Sequence, residues 1–402
     1  MGKKIKEIKR IASPEALFFT AFIARLVVTT WYSTMFPQFP VLQKIALVIM
    51  IVCAVTKILL YDSFSLGEIV AMGLVGACTV LNFLKTGSNI MVVLLLLVVA
   101  AKGIDFKKIL RVYIIVVGSI VAFAFICSLM GVIRNLKYYV PDEHIFRNSF
   151  GIIFCTDFAA HIFFLILAYF YVRSENLKWY DYILAATLIV LTFKYTNGKL
   201  DFITSLLTIV LFAIGNTVRK QKGTKAQYII KTSNCIWKTL AMFSMTASCI
   251  FMYLFTLNYS DATKWMVDFN EFITGRLNVG QKTLAENGFG FFGKRITMYG
   301  AGGNTVPNGD TYNFIDCSYL HILVLSGLAL LLVFLMIYTY SAYKNGEDVY
   351  LMYAIILISI NCMIAHHLQD ISYNPFTLMI MAKVLTVGKE NEKSKYQFCI
   401  NN

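Results

Sequence analysis

The sequence predicts an all-α protein that crosses a membrane about twelve times, as a single integral membrane domain over residues 1–402. Three observations carry that prediction. Of the residues, 58% are hydrophobic and only 14% charged, where a soluble domain carries about a quarter charged, so polar surface is too scarce to coat a globule. The apolar residues come in runs of about twenty, the length that crosses about 30 Å of hydrocarbon. No strand-like alternation and no soluble stretch interrupts them.

In chain order the runs fall at 15–33, 41–60, 64–84, 89–102, 109–132, 150–172, 180–194, 201–218, 236–257, 319–340, 349–365 and 375–388. The fourth and the last are short for a span. Ahead of them, "MGKKIKEIKR" is basic but leads into no short apolar core with a small-residue cleavage site, so no cleaved signal peptide is expected. Lys3, Lys4, Lys6, Lys9 and Arg10 place the N-terminus in the cytoplasm, and twelve crossings return the tail from Lys389 to the same side.

The connections then assigned to the inside carry Lys57; Lys102, Lys107, Lys108 and Arg111; Arg173 and Lys178; Arg219 to Lys231; and Lys344. The outside turns "MFPQFP" and "HHLQDISYN" hold neither Lys nor Arg, while Lys85, Lys194 and Lys199 are exceptions on two other outside turns. The net charge of +14 therefore follows from topology and from anionic lipid at the inner surface. A nucleic-acid partner is excluded, because no soluble basic domain exists to meet it. The nine cysteines are scattered, mostly within apolar runs, and read as small buried hydrophobes with no disulfide framework.

Two longer loops face outside, 132–149 and 258–318. Long loops between spans are functional or disordered, and the second carries signs of order. "KWMVDFNEFITGRL" sets Trp265, Phe269, Phe272, Ile273 and Leu277 on one helical face, which suits a helix lying at the interface or capping the bundle. Glycine-rich turns follow, "NGFGFFGKR" and "YGAGGNTVPNGD".

These loops keep cations outside against the charge rule: Arg134, Lys137, Arg147, Arg276, Lys282, Lys294 and Arg295. Arginine's planar fork binds phosphate oxygens through paired charge-assisted bonds. Solvation, or pairing with Glu143, Asp268 or Glu271, is the plain alternative. Among acid–base candidates, Asp316 precedes an apolar helix, where it serves either as a helix N-cap or as a reactive carboxylate. Asp157 and His161 lie four apart on one helix face and either pair with each other or serve a site. Lys199 and Asp201 open the eighth run, pairing locally or facing the same outer cavity. Arg25 and Glu68 sit deeper and are expected to pair as packing groups. His366, His367 and Asp370 share an outer turn, yet two adjacent histidines without a third ligand make a weak metal motif, so no metal is assigned.

Four stretches together resemble the bacterial Wzy-type polysaccharide polymerases, relatives of the O-antigen ligases. "RNSFGIIFCTDFAAH" is similar to the family's Arg-x-Ser-x-Gly opening of a helix after the first external loop. "KYTNGKLDFITSLL" is similar to a polar-then-apolar stretch, with Gly198 and Lys199 where Ser-Arg is usual. "TGRLNVGQKTLAENGFGFFG" resembles a Gly-Arg-Leu stretch leading into a glycine-rich turn, and "FIDCSYLHILVLSG" resembles the closing stretch, with Tyr319, Leu320 and Gly327.

The resemblance implies a polytopic, GT-C-like fold in the bacterial cytoplasmic membrane, and a metal-independent glycosyltransferase without cofactor. It would transfer a growing glycan from polyprenyl diphosphate to a new lipid-linked repeat unit at the outer face. The implied partners are a polyprenyl-diphosphate-linked oligosaccharide, membrane lipid, a chain-length regulator and a flippase. Arg147 and Arg276 would hold the diphosphate with help from Arg295, and Asp316 would act as base or orient the acceptor. Lys199, Tyr319, His321, Asp157 and His161 would line the substrate site. In the ligases a histidine stands where this chain has Asp316, which leans the implied activity toward polymerisation. A lipid-linked oligosaccharide flippase, an O-antigen-ligase-like enzyme and a sugar acyltransferase are the competing readings; the last needs a histidine–acid site, for which "HHLQD" is the candidate.

Overall fold

The computed structural model describes residues 13–140, 144–221, 223–300 and 312–384. The basic cluster Lys3–Arg10, Glu143, residues 301–311 and the tail from Lys389 lie outside the described residues, and with them the expected placing of both termini.

Helix α1 (Pro14–Tyr32) starts where Ser13 Oγ accepts from the Ala16 amide at 3.1 Å, with Pro14 in the first turn. Helix α2 spans Pro40–Tyr61. Helix α3 (Leu66–Thr86) opens on a reciprocal capping box between Ser65 and Glu68 and stops at Gly87, whose φ of 75° ends it in the left-handed region. Helices α4 (Ile90–Ala100) and α5 (Phe106–Leu129) follow, then a hairpin of β1 (Lys137–Val140) and β2 (Ile145–Asn148). The loop at 132–149 thus carries the two described strands of an otherwise helical chain, with Arg147 opposite Tyr138.

Helices α6 (Cys155–Arg173), α7 (Trp179–Thr196), α8 (Lys199–Lys220) and α9 (Thr224–Leu257) come next. Among the described residues, seven helices are long and apolar enough to cross a membrane: α1, α2, α3, α5, α6, α8 and α9. Helix α6 is the one most enclosed by protein, whereas α2 and α3 turn rows of exposed leucine and valine outward, as helices facing lipid do.

Three expectations change. The amphipathic stretch at 264–277 is two helices, α10 (Lys264–Phe272) and α11 (Arg276–Asn287). Thr274 (φ 58°) and Gly275 (φ 81°) break it. The tenth run is also broken: α12 (Ser318–His321) loosens into one wide π-turn over Ile322–Ser326, and α13 (Leu328–Lys344) starts afresh at Gly327. Carbonyls of the glycine-rich turn cap that fresh start, Gly290 O accepting from Leu328 N and Phe291 O from Ala329 N.

After α14 (Val349–Asn361), the twelfth run is not an α-helix in the described residues, where it holds a 3-10 turn at Pro375–Ile380. Pro375 cannot donate an amide, and the buried segment keeps some local bonds, Ala382 N to Leu378 O at 3.0 Å, while the residues just before it bond to neighbouring elements. Tyr113 Oη donates to Tyr373 O at 2.7 Å, and Asn374 Nδ2 to Tyr338 Oη at 2.7 Å. At its end Lys383 pairs with the Ile104–Phe106 backbone, between α4 and α5.

The loops at that end of the bundle hold paired cations: Lys57 with Asp62 (2.8 Å), Lys102 with Glu68 (2.7 Å), Arg173 with Asp181 (3.1 Å) and Arg219 with Glu175 (2.6 Å). Glu68 is therefore taken by Lys102, and Arg25 lies beside Asp370, so the expected Arg25–Glu68 pair does not form.

Candidate functional site

At the opposite end, α6, α8 and α11 begin while α7 and α14 end. A cleft there is lined by Arg147, Asp157, Lys199, Asp201, Arg276, Asp316, His366 and His367, among others. Its free volume is about 30 Å³, room for water in this conformation and not for a sugar-sized ligand.

Each cation is aimed by its element. Arg147 rides on β2, and its Nε donates to the Thr196 carbonyl at 2.7 Å, fastening the hairpin to the last turn of α7. Arg276 is the first residue of α11. Asn270 on α10 spends its Oδ1 on the Leu277 (2.9 Å) and Asn278 (3.3 Å) amides, so α11 offers the cleft the Arg276 side chain rather than free backbone donors. The guanidinium is held by Ile364 O (2.8 Å), Ile273 O (2.8 Å) and Thr274 Oγ1. Its Nη2 lies 3.4 Å from Asp316 Oδ2. Thr274 is β-branched yet sits at φ 58°, a strained residue tolerated where it sets the aim of the next side chain but one.

Asp316 is placed by the residue two further on. Ser318 is pinned to the loop after α14: its N–H donates to Cys362 O (3.0 Å), its Oγ to Ala365 O (2.5 Å), and its Oγ accepts from Leu368 N (3.1 Å). This brings Asp316 Oδ1 within 3.9 Å of His366 Nδ1, while Tyr312 Oη donates to Asp316 Oδ2 at 3.1 Å. Burial and the neighbouring Asp316 push the Tyr312 phenol up, so it stays a donor. Burial, with His321 and Arg276 adding to it, pushes His366 down to about 3, leaving a neutral imidazole at neutral pH. The N-cap role for Asp316 is not what forms, because Cys317 precedes α12 and Asp316 faces the cleft.

The other candidates divide. Lys199 and Asp157 line the cleft. Asp157 and His161 do not pair: Asp157 Oδ1 lies 3.6 Å from His367 Nε2, and His161 is buried behind, its Nε2 3.4 Å from Ser33 Oγ. One helical turn separates them, but Tyr373 inserts its ring against His161 and draws the two apart in function. Tyr319 is a packing residue and not part of the site. It is buried, and its hydroxyl donates to Ser359 O at 2.7 Å. His321 bonds Ile315 O through Nδ1 (3.0 Å) and lines an adjoining cavity of about 240 Å³ that shares His366 with the first. Arg25, Leu94, Phe314 and Asp370 line that cavity too. Arg295 is exposed on the loop after α11 and stands outside the lining of both cavities.

Asp201 is braced by Asn361 at the end of α14, Nδ2 to Oδ1 at 2.8 Å, across a contact between buried residues. Replacing Asn361 with leucine is expected to lower the unfolding free energy by about 1–3 kcal/mol, because a buried acceptor loses a donor. A thermal melt of the detergent-solubilised variant reads this, and an unshifted midpoint would mean that Asp201 is hydrated.

His366, His367 and Tyr312 are the residues that sequence reasoning left out of the site. The turn "HHLQD" was the visible signal, but only the Ser318 bonds reveal that it faces Asp316. No known protein-family model, no curated protein and no solved structure matches this chain.

Proposed function

We propose that the protein is a polysaccharide polymerase acting on lipid-linked repeat units at the outer face of the bacterial cytoplasmic membrane. One observation carries the reading: arginines from two separate long loops, Arg147 and Arg276, meet a carboxylate, Asp316, in one cleft at the end of an apolar helical bundle. Guanidinium groups beside helix first turns suit a diphosphate, and the bundle end is where a polyprenyl chain could stay in lipid while its head group enters.

In the proposed reaction the acceptor sugar hydroxyl attacks the anomeric carbon of the growing glycan. The bond from that carbon to the diphosphate oxygen breaks, its electron pair leaving with polyprenyl diphosphate, whose charge Arg147 and Arg276 stabilise. The hydroxyl proton passes to Asp316, which the Tyr312 hydroxyl orients. Lys199 adds positive charge at the rim. Tyr319 and His161 take structural places in this reading, and Arg295 has none.

The test is the size distribution of surface glycan in a deletion strain, with and without the wild-type gene. Single repeat units in the deletion strain, restored to polymer by complementation, support the reading; unchanged polymer in a strain with no second polymerase overturns it. A second reading, sugar O-acyl transfer, is favoured by one specific feature, the proximity of His366 to Asp316 and of His367 to Asp157. It predicts full-length glycan that lacks O-acyl groups in the same deletion strain.

A further inference from the structure

We propose that Asp157, His366 and His367 form a binding site for a divalent transition cation of the zinc class. The sequence shows two adjacent histidines and no third ligand nearby. The fold supplies it from the first turn of α6, about two hundred residues earlier in the chain. One ligand atom from each of the three residues lies within 4.8 Å of the other two. A tetrahedral ion with bonds of about 2.0–2.2 Å needs ligand atoms roughly 3.5 Å apart, so side-chain closure of about 1 Å completes the triangle.

A second, independent observation points the same way. His367 is buried to 2% exposure, yet its Nδ1 has no hydrogen-bond partner, and its Nε2 stands 3.6 Å from Asp157, too far for a bond. The nitrogen that faces Asp157 therefore carries no hydrogen bond and is open to a ligand from the cleft. The ring is also held rigidly. Tyr373 stacks on it at 3.7 Å with 12° between planes, and His161 covers the other face of Tyr373 at 3.8 Å and 15°. Asp316 stands 3.9 Å from His366 Nδ1, so the same side-chain closure would bring it into reach as the carboxylate that orients a ligating imidazole.

Two nitrogens and one carboxylate oxygen suit zinc, with cobalt as a spectroscopic substitute, better than magnesium or calcium, which prefer oxygen. Three protein ligands leave a fourth position on the cleft side, where Arg147 and Arg276 would accompany a bound anionic oxygen. The inference goes beyond the transfer reading and does not need it: it also replaces the expectation that no metal binds here.

The experiment uses the full chain in detergent, stripped with chelator and titrated with Zn²⁺ and, separately, with Co²⁺. The expected result is about one equivalent bound, with cobalt giving the strong visible absorption of a four-coordinate site. Asp157→Asn and His367→Gln are each expected to weaken binding at least tenfold and abolish that absorption, while His144→Ala, on the exposed hairpin, leaves both unchanged. His366→Gln is the further variant should His367→Gln not fold by size-exclusion and melting criteria. Wild type binding no more ion than the Asp157→Asn protein overturns the site, as does binding that follows His144. Because binding is read without turnover, its failure leaves the glycan test standing, and failure of that test leaves the metal measurement standing.

Discussion

Replacing Arg276 with alanine is expected to slow the proposed glycan transfer by about 10²–10³-fold, the range for removing one preorganised charge-stabilising donor. The geometry concentrates the effect in this residue. Three contacts, to Ile364 O, Ile273 O and Thr274 Oγ1, immobilise the guanidinium before any substrate arrives, and its remaining edge meets Asp316 at 3.4 Å. A lysine in its place keeps the charge but cannot hold those carbonyls and a diphosphate at once, so Arg276→Lys is expected to stay within about tenfold of alanine. The measurement is polymer formed per minute by purified protein from lipid-linked repeat units, with folding checked by melting. Wild-type rates in Arg276→Ala would remove the diphosphate assignment. A defect confined to KM, with kcat intact, would mean that the arginine holds ground state and transition state equally.

Gly327→Ala is expected to destabilise the fold by about 3–5 kcal/mol, the sum of a forbidden backbone conformation and overpacking against atoms that cannot yield. Gly327 sits at φ 96° and ψ 164°, a region that only glycine occupies with ease. A Cβ there would meet Phe291 O at 2.6 Å and Phe292 C at 2.7 Å, and also the Gly293 amide. All three are backbone, so no rotamer change relieves them. Gly293 faces it at φ 86°, where a Cβ would press on Asn82 Nδ2 at 2.8 Å. Asn82 in turn donates to Phe292 O and Ser326 O at 3.1 Å, riveting α3 to this joint. Lower yield of folded protein and a melting midpoint many degrees below wild type are the expected readings. A midpoint within two degrees would mean that the joint between the glycine turn and α13 opens freely.

How far the fold was legible follows from which signal each element depends on. The long spans were readable because runs such as 41–60 and 109–132 are apolar enough to demand a bilayer, and α2 and α5 fall within about three residues of them. The breaks were not. Ser326-Gly327 is the one local interruption in Ile322–Leu330, too short to end an apolar run by itself, and the close approach of Gly293 to Gly327 is what shows that α13 begins there. The same holds at 375–384, where apolar residues satisfy burial equally well in a helix or in irregular chain enclosed by protein.

At the site, the long-range partners were the unreadable part. Arg147 and Arg276 were visible as cations kept in the two long loops, and Lys199, Asp157 and Asp316 as polar groups at the ends of apolar runs, and the cleft gathers all five. Local spacing suggested Asp157 with His161, and depth within apolar runs suggested Arg25 with Glu68, but neither pair forms, since His367, Lys102 and Asp370 meet these groups from other elements. The sequence alone determined that the chain is a helical membrane protein and which ionisable residues stand at its polar threshold, because transfer of each run out of water is a local property. The tertiary structure alone decided which of those residues meet. Ser318 binds the loop after α14, so His366 and His367 come to Asp316 and Asp157, and such contacts depend on packing geometry that no local pattern encodes.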